Sequence, residues 1–186
     1  FYAEKHDIDP ITLMSLARQE SAMDSEARSP VGARGIMQIM PKTAQYTAKK
    51  HQIKYQGSDD LYNVSKNIEI GSHYLDGLLA QYDNNRIFAF AAYNAGPGTV
   101  RDACGQGNFI DCIDDLPSET QNYVPKVLKS KSEAENVGID LVGLKSEVLR
   151  IAHTEYNRWD KGTKLESSSS GSAIVKEYYA SGGCPT

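Results

Sequence analysis

Almost nothing in this chain alternates apolar and polar residues at period two, the pattern that a half-buried strand requires. Helix punctuation recurs instead. Asp9-Pro10 offers an N-cap followed by a proline at the first helical position. Residues 11–21 then set Leu13, Leu16, Ala17 and Glu20 at i, i+3, i+4 and i+7. Pro41 opens a helix to about residue 51, and Asn63 caps one over 64 to about 82 that turns Ile68, Gly71, Leu75, Leu78, Leu79 and Tyr82 inward. Asn85 starts another that ends at Gly96, where Pro97 blocks continuation and a short helix follows. Ser118-Glu119-Thr120-Gln121 reads as a capping box before a helix through Val124, Val127 and Leu128. Two loops complete the frame: a glycine-containing one over 29–35 that feeds the apolar segment Ile36-Met37-Gln38-Ile39-Met40, and a Gly/Asp-rich one over 105–117. The expected fold is mainly α-helical.

The character of the chain changes near residue 130. Residues 129–135 are charged, and 139–159 form an amphipathic pattern with Leu141, Leu144, Val148, Ile151 and Ala152 on one side. A serine-rich linker over 161–172 contains Ser167-Ser168-Ser169-Ser170-Gly171-Ser172, with a further short helix expected over 172–180. The expected organisation is a helical domain over 1–130, then a helical extension and linker over 131–186.

Composition narrows the function. The 186 residues carry 20 Lys+Arg against 24 Asp+Glu, a formal charge of −4, with 40% hydrophobic and 24% charged residues. That is an ordinary globular balance. Mild acidity disfavours nucleic acid as the main partner, because phosphate neutralisation needs clustered Lys and Arg. No run of eighteen apolar residues suggests a membrane span. Tyrosine supplies 11 of the aromatics beside four Phe and one Trp. Tyrosine suits partly wet clefts, though core and surface packing would account for many of these residues. Cys104, Cys112 and Cys184 lack zinc-site spacing, so no metal site is expected of them, and no cofactor is expected either. Cys104 and Cys112 either close a small loop, as an oxidising compartment would allow, or remain free thiols.

Glu20 is the residue with the clearest chemical content. It extends an apolar stripe near a helix C-terminus, where desolvation and the carbonyl dipoles both favour the protonated acid. A carboxyl protonated at neutral pH is what a general acid requires, and a helix-end Glu turned to solvent is the plain alternative. Gln38 on its apolar segment has an amide able to bind a sugar acetamido group, with methionines able to pack on a ring face, or it is a satisfied core residue. Ala91-Ala92-Tyr93-Asn94-Ala95-Gly96 permits close helix packing and brings two polar tips to a helix end.

Glu20-Ser21, Gly35-Ile36-Met37-Gln38 and Ala92-Tyr93-Asn94-Ala95-Gly96, in that order, resemble the three motifs of the soluble lytic transglycosylases. Ala17-Arg18-Gln19, Ser29-Pro30-Val31-Gly32-Ala33, Ile39-Met40-Pro41, Asn85-Arg86-Ile87-Phe88, Ser118-Glu119-Thr120 and Tyr123-Val124 are similar to the family's flanking sequence. The resemblance spans about residues 1–130. It implies a lysozyme-like (goose-type) helical domain that cleaves the β-1,4 bond between N-acetylmuramic acid and N-acetylglucosamine of peptidoglycan glycan strands, in the periplasm or outside the cell. It implies Glu20 as acid/base and Tyr93 close by, orienting it. It further implies Ser21, Gln38, Met40, Asn94, Glu119 and Tyr123 along the glycan cleft. In the tail, residues 152–159 and 174–179 resemble the helical lead-in of some papain-like peptidoglycan peptidases; a packed C-terminal helix with a linker is the alternative.

Ordinary glycosidases need two carboxyls at a defined separation. No second acid here has a comparable apolar context: Asp24, Glu26, Glu119, Asp111, Asp114 and Asp115 all stand among polar neighbours. A substrate hydroxyl in place of water makes one carboxyl sufficient. Two other readings stand beside the transglycosylase: a hydrolytic muramidase on the same fold, and a non-catalytic glycan-binding module.

Overall fold

A computed structural model describes residues 1–105 and 107–134. Its α-helices are α1 (Tyr2–Lys5), α2 (Pro10–Ser21), α3 (Pro41–His51), α4 (Val64–Gln81), α5 (Arg86–Ala95), α6 (Pro97–Cys104), α7 (Phe109–Cys112) and α8 (Ser118–Ala134), with 3-10 turns at Ser58–Tyr62 and Ile113–Asp115. No β-strand forms among the described residues; only the isolated bridges Arg28 to Arg34 and Arg34 to Ile39 pair extended backbone. Nor is any described helix long and apolar enough to cross a membrane.

The helix starts follow from capping chemistry. Asp9 accepts from the backbone N–H of Ile11 ahead of Pro10, Asn63 accepts from Lys66, and Asn85 accepts from both Ile87 and Phe88. From Ile87 through Tyr93 every residue of α5 is buried. A helix apolar all round belongs at the centre of a domain. Accordingly α5 packs on α4, α6 and α8, while α2 lies along α8 and α3 along α4.

Three local expectations change. The segment over 105–117 is not simply a loop. Asn108 caps α7 by accepting from the backbone N–H of Asp111, and Phe109, Ile110 and Cys112 are buried. A four-residue helix is too short to show periodicity in sequence. Cys104 and Cys112 are disulfide-bonded, fastening α7 to α6. At α8 the helix already includes Ser118, and Gln121 donates backward to the carbonyls of Leu116 (2.8 Å) and Asp114 (3.3 Å) rather than forming a box with Ser118. On α4 the buried set includes Asn67, Ile70, Ser72 and His73, whereas Ile68, Leu79 and Tyr82 are only partly covered.

Helix α8 continues through residue 130 to Ala134. The expected helices over 139–159 and 172–180, the serine-rich linker, Cys184 and the peptidase-like stretches lie outside the described residues.

Candidate active site

Glu20 stands one residue before the end of α2, on the stripe with buried Leu13, Leu16 and Ala17. The helix stops there because Ala22 turns into the left-handed region (φ 53°) and its N–H closes on the carbonyl of Arg18 at 2.9 Å. Burial raises the Glu20 pKa from 4.5 to about 7; the Tyr123 hydrogen bond opposes that rise and the negative charge of Glu119 adds to it. The carboxyl is therefore substantially protonated at neutral pH.

Tyr123 of α8 donates its hydroxyl proton to Glu20 Oε1 at 2.5 Å. Tyr93 of α5 is buried too, but its hydroxyl donates to the carbonyl of Met37 at 3.0 Å. The hydrogen bond to the carboxyl thus comes from Tyr123, which the sequence placed along the cleft. Tyr93 remains close enough for the Glu20 charge to help push its own pKa up, after burial.

Ser21 does not face open space. Its hydroxyl donates to the carbonyl of Ile36 at 2.8 Å, pinning the end of α2 to the loop over 34–40. In that loop Gln38 adopts φ 47°, and its Nε2 donates to the carbonyls of Gly35 (2.9 Å) and Ala27 (3.0 Å). The amide protons are spent inside the protein, leaving the Gln38 side-chain oxygen as the group available to a ligand. Gln38, Met40, Tyr93 and Asn94 meet around a cavity of about 200 Å³, joined by Ile39, Thr43, Tyr74, Ala95 and Gly96. Asn94 bridges to α8: it accepts from the Thr120 hydroxyl at 2.8 Å and donates to Glu119 Oε1 at 3.3 Å. Glu119 itself is exposed. Asp24 is exposed and accepts from the Glu26 backbone N–H at 2.9 Å, the geometry of a turn residue.

One residue went unread in the sequence. Asn67 on α4 is fully buried and saturated: its Oδ1 accepts from the Met37 N–H (2.9 Å), and its Nδ2 donates to the carbonyls of Leu61 (2.8 Å) and Arg34 (2.9 Å). Gly35 lies flush against it; a Cβ there would come within 2.0 Å of the Leu61 carbonyl and 2.4 Å of Asn67 Nδ2. The available signal was a lone Asn on the inward face of an amphipathic helix, where an unpaired amide would be costly.

The match to the family described as the Transglycosylase SLT domain covers residues 1–111. This chain belongs to the transglycosylase SLT family. Over 133 residues it is 46% identical to the soluble lytic murein transglycosylase of Salmonella typhimurium and 44% identical to that of Escherichia coli, the match covering 68% of this chain and 21% of each relative. The SLT chain thus spans about a fifth of the length of the curated relatives it matches. Its fold is similar to the crystal structure of the 70 kDa soluble lytic transglycosylase of Escherichia coli, with TM-score 0.67 and 40% identity over 77% of this chain and 24% of that one. A complex of the 70 kDa enzyme with bulgecin A gives TM-score 0.66 and 35% identity over 91% of this chain and 25% of that one. The lysozyme-like helical fold expected from sequence is the one this SLT domain has.

Proposed function

We propose that this SLT domain cleaves the β-1,4 bond between N-acetylmuramic acid and N-acetylglucosamine without water, leaving a 1,6-anhydromuramoyl end, and that it does so on peptidoglycan in the periplasm or outside the cell. The observation that carries this reading is a single half-buried carboxyl, held near pKa 7, at the end of a helix beside two buried tyrosines. The kinship to lytic murein transglycosylases supports the substrate.

In the proposed reaction protonated Glu20 gives its proton to the glycosidic oxygen as the C1–O bond breaks, and the N-acetylglucosamine leaves as an alcohol. The resulting carboxylate takes the proton of the muramoyl C6 hydroxyl. That oxygen bonds to C1, which closes the anhydro ring and restores the acid, so atoms and protons balance without water. A pKa matched to the working pH serves both halves of such a cycle. Tyr123 orients the carboxyl, and Tyr93 closes the apolar wall behind it. The Gln38 oxygen, Met40 and Asn94 line the glycan cleft with Glu119 at its rim, while Ser21 fixes the cleft wall to α2.

The test is mass spectrometry of fragments released from purified peptidoglycan by the protein and by Glu20→Gln. Fragments one water lighter than reducing muropeptides, absent with the variant, are the expected result. Reducing ends would instead identify a hydrolase, release that survives in Glu20→Gln would assign the acid to another residue, and absent release would leave a glycan-binding module.

A further inference from the structure

Helix α4 contributes Tyr74 to the cavity lined by Gln38, Met40 and Asn94, and a second of its faces governs the segment that carries Gln38 and Met40. Asn67 holds the Met37 N–H and the Arg34 carbonyl, so both ends of the turn containing Gly35 and Ile36 are fastened to one side chain. One turn along the helix, Gly71 lets Met37 lie against the backbone: a Cβ at Gly71 would meet Met37 Sδ at 2.6 Å and Cε at 3.0 Å. Met37 is itself almost fully buried. Its carbonyl receives the Tyr93 hydroxyl, and the neighbouring Ile36 carbonyl receives Ser21, the residue after Glu20. The chain of contacts therefore runs from α4 through residues 36 and 37 to both walls of the acid.

We infer that Asn67 is a positioning residue for the reaction, setting through Met37 the place of the Gln38–Met40 wall and of the tyrosine that closes off Glu20, with Gly71 as the seat that makes this position accessible. The inference rests on the proposed transglycosylase reading, since it assigns Asn67 a role in that chemistry. Loss of the Asn67 side chain takes the partner from the buried Met37 N–H and a donor from the Leu61 carbonyl, leaves the Arg34 carbonyl only the Ile39 N–H, and the loop moves to find water. Water reaching Glu20 stabilises its ionised form.

The experiment compares Asn67→Ala, Gly71→Ala and Leu78→Ala in the full chain on purified peptidoglycan, with Tm recorded for each. Leu78 is a buried residue of the same helix that touches no part of the loop's hydrogen bonding, so it reports the effect of destabilising α4 alone. Asn67→Ala and Gly71→Ala are expected to raise KM by about tenfold and to move the alkaline fall in kcat/KM to lower pH by about one unit. Leu78→Ala is expected to lower Tm and leave both unchanged in the folded fraction. Should Asn67 fail to fold as Ala, Gly71→Ala acts on the same loop from a different atom and carries the comparison. Equal kinetic parameters for the two loop-facing variants and the wild type, or the same changes in Leu78→Ala, would overturn the inference while leaving the reaction intact. A wild type with no Glu20-dependent release would instead overturn the reaction on which it rests.

Discussion

At Glu20 two opposing forces act on one carboxyl. Burial pushes the pKa up, and the hydroxyl of Tyr123 pulls it back by hydrogen bonding the charged form. Removing that hydroxyl should therefore let burial dominate. In Tyr123→Phe the alkaline fall in kcat/KM is expected at higher pH than in the wild type, by about one unit, because a hydrogen bond to the ionised form has been lost. A pH–rate profile of the variant checks this, and a fall moved to lower pH would contradict the assignment of Tyr123. Sequence reasoning reached Glu20 because a carboxylate interrupting an apolar stripe is visible at 3.6-residue spacing. The family resemblance set Tyr93 beside the acid and Tyr123 along the cleft, whereas the hydrogen bond to Glu20 comes from Tyr123. Both are buried aromatics at helical spacing, and which hydroxyl meets the acid depends on how α5 and α8 cross α2.

Among the elements, α2 ends on a non-glycine residue in the left-handed region, Ala22 with φ 53°. An L-residue there costs about 1 kcal/mol relative to glycine. Ala22→Gly should therefore stabilise the domain by about 0.5–1 kcal/mol, measured as a higher midpoint in urea with unchanged slope. The Cys104–Cys112 bond closes a short loop, with a sequence separation of 8, between α6 and α7. A loop of that length is worth about 2.5 kcal/mol through the unfolded state. Reduction, or Cys112→Ser, should lower Tm, and native-state hydrogen exchange should report early opening of residues 105–116 ahead of α2 and α5. The long helices were legible from caps, prolines and apolar stripes. Helix α7 was not, because four residues contain barely one turn and its stability comes from the disulfide and from burial of Phe109 and Ile110.

Across the whole molecule, half-buried Glu20 and buried His73 give stability opposite pH dependences. Glu20 is folded-state protonated to about pH 7, against an ordinary 4.5, so its contribution is full below 4.5 and is lost as pH rises through 7. His73 lies in a cluster with His6 and His51, their ring centroids 4.1 Å from its own. Burial first, and then the neighbouring His6, His51 and Lys5, lower its pKa from 6.5 to about 4, with Asp76 opposing. Its contribution is full above 6.5 and is lost as pH falls toward 4. Between 4.5 and 6.5 the two slopes have opposite sign and largely cancel. Glu20→Gln removes one of them: the variant should gain up to about 3 kcal/mol over wild type at pH 8 and nothing at pH 4, and its stability should rise with pH across the intervening range. Urea titrations at several pH values measure both. A variant no more stable than wild type at pH 8 would show that Glu20 ionises freely in the fold.

What the sequence determined by itself was local and periodic. Caps at Asp9, Asn63 and Asn85, prolines at helix starts and an acid on an apolar stripe act through neighbours within a turn or two, so their spacing alone is sufficient to find them. The three motifs also marked the family. The tertiary structure alone decided which distant groups meet. Asn67 reaches Met37 across 30 positions and Tyr123 reaches Glu20 across 103, while Gln38 turns its amide protons inward to close the loop. Such pairings follow from helix crossing angles and from the demand that every buried polar group find a partner, and neither leaves a periodic trace along the chain.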